Sequence, residues 1–184
     1  MISTGFSKWL LNLLGWKITG RYPEEIKKFI IIVLPHTSNW DFPLGLLVRK
    51  ALKQDIKYLG KSSLFKPPFG WIFKSLGGYP VFRDKRTKFV DAVIDIFKKE
   101  EELVITVAPE GTRSKVEKLK TGFYYMALGA NIPVCLVKFD YGNKEVDFGK
   151  LLYPSGNIEE DLAIIHDHYR GVKGKRPEKS FLSE

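Results

Sequence analysis

The sequence predicts an α/β fold, a mostly parallel, partly mixed sheet flanked by helices and preceded by an amphipathic helix. Three observations carry this. Apolar, β-branched runs at residues 29–34, 103–108 and 134–139 lack polar alternation and abut prolines, as strands buried on both faces do. Segments of helical period alternate with them. The 184 residues, 44% hydrophobic and 28% charged, have the balance of a single globular domain with its own core.

Phe6, Trp9, Leu10, Leu13 and Leu14 recur at helical spacing, with Lys8 and Asn12 elsewhere on the wheel. Such a helix packs on the core or, given Trp9, Trp16 and the flanking Lys8 and Lys17, lies in a bilayer interface. The run at 29–34 is ended by Pro35. A helix over 44–52 follows, and Pro43 in its first turn sets the start near Asp41, with Ser38, Asn39 or Asp41 as N-cap. Residues 66–71, Lys-Pro-Pro-Phe-Gly-Trp, form a turn-rich insertion that brings aromatics to the surface or a groove wall. Phe89, Val90, Val93, Ile94 and Phe97 mark a helix, as do residues 122–128, with Gly129 as C-cap. The run at 103–108 is stopped by Pro109, and that at 134–139 follows Pro133. From Gly171 the chain reads as a basic, poorly ordered tail. The expected organisation is a membrane-surface helix at 1–20, a catalytic domain at 21–170 and a flexible tail at 171–184, without internal repeats.

Thirty Lys and Arg against 21 Asp and Glu give a net charge of +9, which points to an anionic partner, an acidic membrane surface or nucleic acid. No paired aromatics in a Gly-rich strand suggest RNA binding, so nucleic acid is not the expected partner. One cysteine, Cys135, excludes a disulfide framework and a cysteine zinc site. Its apolar run marks it as inert packing, and a reducing compartment fits best. His166 and His168, two residues apart on a helix, point to different faces and read as surface histidines rather than a metal clamp. No run of about eighteen apolar residues is present, so no spanning helix is expected. The N-terminus lacks the pattern of a secretory signal, and a cytoplasmic location is expected.

Ligands of open α/β sheets bind outside the carboxyl ends of the strands. Two exits are unusually polar. The first run passes into Pro35-His36-Thr37-Ser38-Asn39-Trp40-Asp41, and the run at 103–108 into Pro109-Glu110-Gly111-Thr112-Arg113-Ser114. A third segment, Gly77-Gly78-Tyr79-Pro80-Val81-Phe82-Arg83, delivers Arg83. Parallel strands would bring all three to one edge. On a continuous helix His36 and Asp41 would stand about 140° apart, so His36 must lie in the loop before the helix and fold back onto the carboxylate. Such a carboxylate holds one imidazole nitrogen protonated and leaves the other to take a proton. The pair makes a base without a nucleophile. Glu110, Gly111, Thr112 and Arg113 offer a glycine N–H, a hydroxyl and a guanidinium suited to a phosphate, with Arg83 and Arg86 as further cations if they face the same crevice.

His36-x4-Asp41 (an HxxxxD motif), Gly-Gly-Tyr-Pro-Val-Phe-Arg83, Pro-Glu-Gly-Thr-Arg113 and Ile-Pro-Val134, in that order, resemble the glycerophospholipid acyltransferases of the lysophosphatidate acyltransferase type. The resemblance implies an O-acyltransferase that moves a fatty acyl group from acyl-CoA or acyl-carrier protein to the hydroxyl of 1-acyl-glycerol-3-phosphate or a similar lysolipid. It implies His36 as base, Asp41 as its orienting partner, and Arg83 with Glu110, Gly111, Thr112 and Arg113 as contacts to the acceptor's phosphate. Ile132, Pro133 and Val134 would form part of the acyl-donor wall, and neither metal nor cofactor is implied. Pro35 and Phe82 depart from the common pattern, and leave open another acceptor, such as a lyso-ornithine lipid or other lysophospholipid. Without a long N-terminal anchor, attachment to the inner face of the cell membrane is expected to be peripheral and salt-sensitive. A non-catalytic basic module binding membranes or nucleic acid is the reading from another class, and it leaves the His36 and Asp41 spacing unexplained.

Overall fold

The computed structural model describes residues 3–81 and 86–181. The chain opens with helix α1 (Thr4–Leu13) and strand β1 (Lys17–Gly20), then β2 (Lys28–Leu34) and α2 (Asp41–Leu52). Next come β3 (Ile56–Lys61), α3 (Gly70–Ser75), β4 (Gly78–Val81), α4 (Arg86–Lys99) and β5 (Leu103–Val107). It continues through α5 (Gly122–Ala130), β6 (Val134–Asp140), β7 (Glu145–Leu152) and α6 (Ile158–Tyr169).

The seven strands form one sheet in the order β1-β7-β6-β2-β5-β3-β4. Strands β2 to β6 run parallel to one another; β7 pairs antiparallel with β6, and β1 follows β7. The sheet is therefore mixed, as the sequence predicts. Its centre is β6-β2-β5, the three apolar runs, and side-chain alternation divides β2 between two cores. Ile30, Ile32 and Leu34 pack with residues of α4, α5 and α6, such as Phe97, Phe123 and Ile165. Phe29 and Ile31 pack with Leu11 of α1 and Leu44, Val48 and Ala51 of α2. Burial on both faces explains the absence of a polar alternation in β2.

Three expectations are corrected. Gly129 lies inside α5, and Asn131, at φ +53°, is the left-handed cap. A Cβ at Gly129 would meet Ile94 of α4 at 2.5 Å, so the glycine serves the close approach of the two helices. The segment after Gly171 is packed rather than loose through residue 181: Val172, Ser180 and Phe181 are buried, and residues 177–179 form a 3-10 turn. Its Gly, Lys and Pro content conceals these anchors. The expected 1–20 helix ends at Leu13, and Lys17–Gly20 belong to the sheet.

Helix α1 is capped by Ser3, whose Oγ accepts the Phe6 N–H at 3.2 Å. It turns Ser7 and Leu11 inward and leaves Phe6, Trp9, Leu13 and Leu14 exposed. In the 66–71 insertion Phe69 and Trp71 stand at the surface. Cys135 is buried, and burial, with Asp147 adding repulsion, pushes its thiol up to about 12. His166 and His168 are not free surface groups: His166 packs on the Phe181 ring at 5.2 Å and His168 on Tyr169 at 5.0 Å.

Candidate active site

The parallel strands β2, β5 and β6 deliver their exits to one edge. His36 leaves β2, Glu110 follows β5 and Tyr141 follows β6. The loop from β2 turns sharply into α2. Ser38 donates its N–H to Asp41 Oδ2 at 2.9 Å, and Trp40 donates to Ser38 Oγ at 3.2 Å. Trp40 occupies the cap position without a side-chain bond, so none of Ser38, Asn39 and Asp41 is the N-cap. The Asp41 carboxylate instead closes the loop, at a helix N-terminus whose dipole favours its charge.

That turn folds His36 back as expected: its Nδ1 lies 2.9 Å from Asp41 Oδ2. Asp41 is 3% exposed, and its other oxygen, Oδ1, accepts the Tyr141 hydroxyl at 2.7 Å. Burial, and then the Asp41 charge, hold the Tyr141 phenol far above its usual range, so it stays a donor. With Nδ1 turned to Asp41, Nε2 is the imidazole nitrogen left to take a proton.

Glu110 has a different place from the expected phosphate contact. It is 2% exposed and turned inward, and its Oε2 accepts the His36 N–H at 2.6 Å. Burial raises its pKa to about 7, partly offset by that N–H. A buried carboxylate is a poor partner for a phosphate, and its effect is to fix the backbone of His36. Gly111, at φ +65°, gives its N–H to Ala108 O at 3.0 Å, so that donor is also engaged. Thr112 and Arg113 are exposed on the same turn.

His36 and Asp41 line a cavity of about 1140 Å³ together with Gly111, Lys118 and Lys120. Its remaining lining is largely apolar and includes Val33, Leu46, Val107 and Phe139. Ile132, Pro133 and Val134 take no part in it. Val134 begins β6 opposite Ile30, and Pro133 O accepts the Ile30 N–H, at the end of β2 away from His36. Ile30 lies four residues, about 13 Å at about 3.3 Å per residue, before the end of β2 from which His36 departs, so Ile132, Pro133 and Val134 form core, and Val137 and Phe139 are the β6 residues that line the cavity. Arg83 lies outside the described residues; β4, which leads to it, does end at the same sheet edge.

Sequence reasoning passed over Tyr141, Lys118 and Lys120. Tyr141 sits in Asp-Tyr-Gly-Asn-Lys, which reads as an ordinary turn, a hundred positions from Asp41. The lysines stand in a basic stretch just after the Pro109 turn, which offered a signal.

Thr37, next to His36 in the chain, is buried, and its Oγ1 accepts the Arg176 N–H at 3.1 Å. The 171–181 segment is thus a strap under the site: Gly174 donates its N–H to Ser180 Oγ at 2.9 Å, and a Cβ on Gly174 would meet Thr37 Oγ1 at 2.6 Å. Among the described residues no His, Cys, Asp and Glu cluster has the makings of a metal site.

The fold is similar to the crystal structure of the 1-acyl-sn-glycerophosphate (LPA) acyltransferase PlsC from Thermotoga maritima, with a TM-score of 0.60 and 22% sequence identity over 90% of this chain and 74% of that one. No curated protein matches the sequence. The model of the Acyltransferase family matches residues 17–139, a segment that holds the His36, Asp41 and Glu110 exits and most of the sheet. This chain belongs to the Acyltransferase family.

Proposed function

We propose that the protein transfers a fatty acyl group from acyl-CoA or acyl-carrier protein to the free hydroxyl of a 1-acyl-glycerol-3-phosphate or similar lysophospholipid. The observation that carries this is the His36 Nδ1 contact to buried Asp41 on the wall of a largely apolar cavity. His36 Nε2 takes the acceptor's hydroxyl proton as the oxygen attacks the thioester carbonyl. The tetrahedral adduct collapses, the C–S bond breaks, and the thiolate leaves with the proton that the imidazolium returns. Asp41 stabilises the transient imidazolium. No enzyme nucleophile is needed, and Cys135, buried in β6, is not called upon.

An apolar cavity suits acyl chains, and Lys118 and Lys120 supply cations on the same wall for an acceptor phosphate. Arg113 and Thr112, exposed on the neighbouring turn, extend that cationic and hydroxyl surface. Trp40 and Phe42, 63% and 43% exposed beside Asp41, suit an enzyme that meets its lipid acceptor at a bilayer surface. No helix among the described residues is long and apolar enough to cross a membrane. Peripheral attachment to the inner face of the cell membrane follows from this reading.

Release of free thiol from palmitoyl-CoA tests the proposal, with lysophosphatidate and with lysolipids lacking a phosphomonoester as acceptors. Turnover only with the phosphomonoester supports the phosphate-bearing acceptor. Turnover only with a lyso-ornithine lipid would move the protein to the other acceptor class.

A further inference from the structure

We propose that Tyr141 is a positioning residue for acyl transfer: its phenol fixes the Asp41 carboxylate and, through it, the ring of His36. This inference rests on the reading of His36 as the base. Asp41 Oδ2 already serves Ser38 N–H and His36 Nδ1, at 2.9 Å each. Oδ1 faces the hydroxyl of Tyr141 at 2.7 Å. In a 3% exposed carboxylate, water is a poor substitute for that donor.

Tyr141 is itself held from several sides. Its N–H donates to Lys173 O of the strap at 2.8 Å, and its ring meets Trp16 edge-on at 4.8 Å. Lys175 Nζ lies 5.7 Å from the ring centre and 5.3 Å from that of Trp40. The turn after it is closed by Asp140, whose Oδ1 accepts the N–H groups of Gly142 and Asn143. A phenol so fixed sets the plane of the carboxylate.

Y141F keeps the ring and removes only the donor. Without it the carboxylate and the His36 ring it holds lose their fixed orientation, which lowers kcat, while the less dispersed Asp41 charge raises the proton affinity of the imidazole. Charged groups around the pair among the described residues include Glu110 on the His36 backbone, Lys175 on the Tyr141 ring, and Arg49, Asp91, Lys118 and Lys120 on the cavity wall. All are unchanged in the variant.

The experiment is the pH dependence of thiol release for wild type, Y141F and H36A, with thermal unfolding of each. For Y141F we expect kcat to fall about tenfold with both KM values within about twofold. The acidic limb should move to higher pH by about half a unit while Tm holds. A wild-type limb and kcat in Y141F, with H36A inactive, would overturn the positioning role alone. So would a loss of kcat that tracks a fall in Tm with the limb in place. Turnover surviving in folded H36A would overturn the reading of the base beneath it.

Discussion

His36 and Asp41 are legible in the sequence because the five-residue interval that joins them is spanned by one loop and one helix start. Their partners are not. Tyr141 reaches Asp41, and Glu110 reaches the His36 N–H, only through the pairing of β2 with β6 and β5. D41N should keep the fold and lower kcat by about a thousandfold or more, since the amide no longer holds the imidazole in its working tautomer. Steady-state kinetics beside a thermal unfolding curve check this. Glu110 carries a second prediction. Its pKa in the folded chain, about 7, lies above its ordinary 4.5, so the stability it contributes is complete below about 4.5 and is lost as pH rises through about 7. E110Q removes that titration. Its Tm relative to wild type should therefore climb between about pH 4.5 and pH 7, as measured by calorimetry across that range.

Among the elements, the central strands β2, β5 and β6 were readable because burial on both faces writes an unbroken apolar run. The outer strands β1, β3, β4 and β7 are short or carry polar residues, and their runs do not stand apart from loops. The strap shows the same effect in reverse, for its lysines and glycines hide Phe181, which is 5% exposed. F181A should cost about 3 kcal/mol of unfolding free energy, read from denaturant melts. The Ile132-Pro133-Val134 motif was visible as a motif, but its position along β6 follows from the register with β2 and not from the residues. Helix α1 packs on the core through Ser7 and Leu11 and presents Phe6, Trp9 and Leu13 outward. Paired W9E and L13E substitutions, at 56% and 65% exposed positions, should weaken sedimentation with anionic vesicles while leaving Tm near wild type.

At the scale of the whole molecule, the family assignment and the sheet edge that gathers the exits agree with the order of motifs in the sequence. The net charge of +9 gives no fold information, but a surplus that large favours association with anionic surfaces. Binding to vesicles containing phosphatidylserine should fall steeply as salt rises from ~0.1 M to ~1 M, where screening shortens from about 10 Å to about 3 Å. Co-sedimentation at the two salt concentrations reads it. Whether His36 is the base of an acyl transfer is tested most directly by thiol release from palmitoyl-CoA with lysophosphatidate, compared between wild type and folded H36A. Turnover is expected with wild type and should disappear in H36A. Turnover by wild type that persists in H36A would contradict that role of His36.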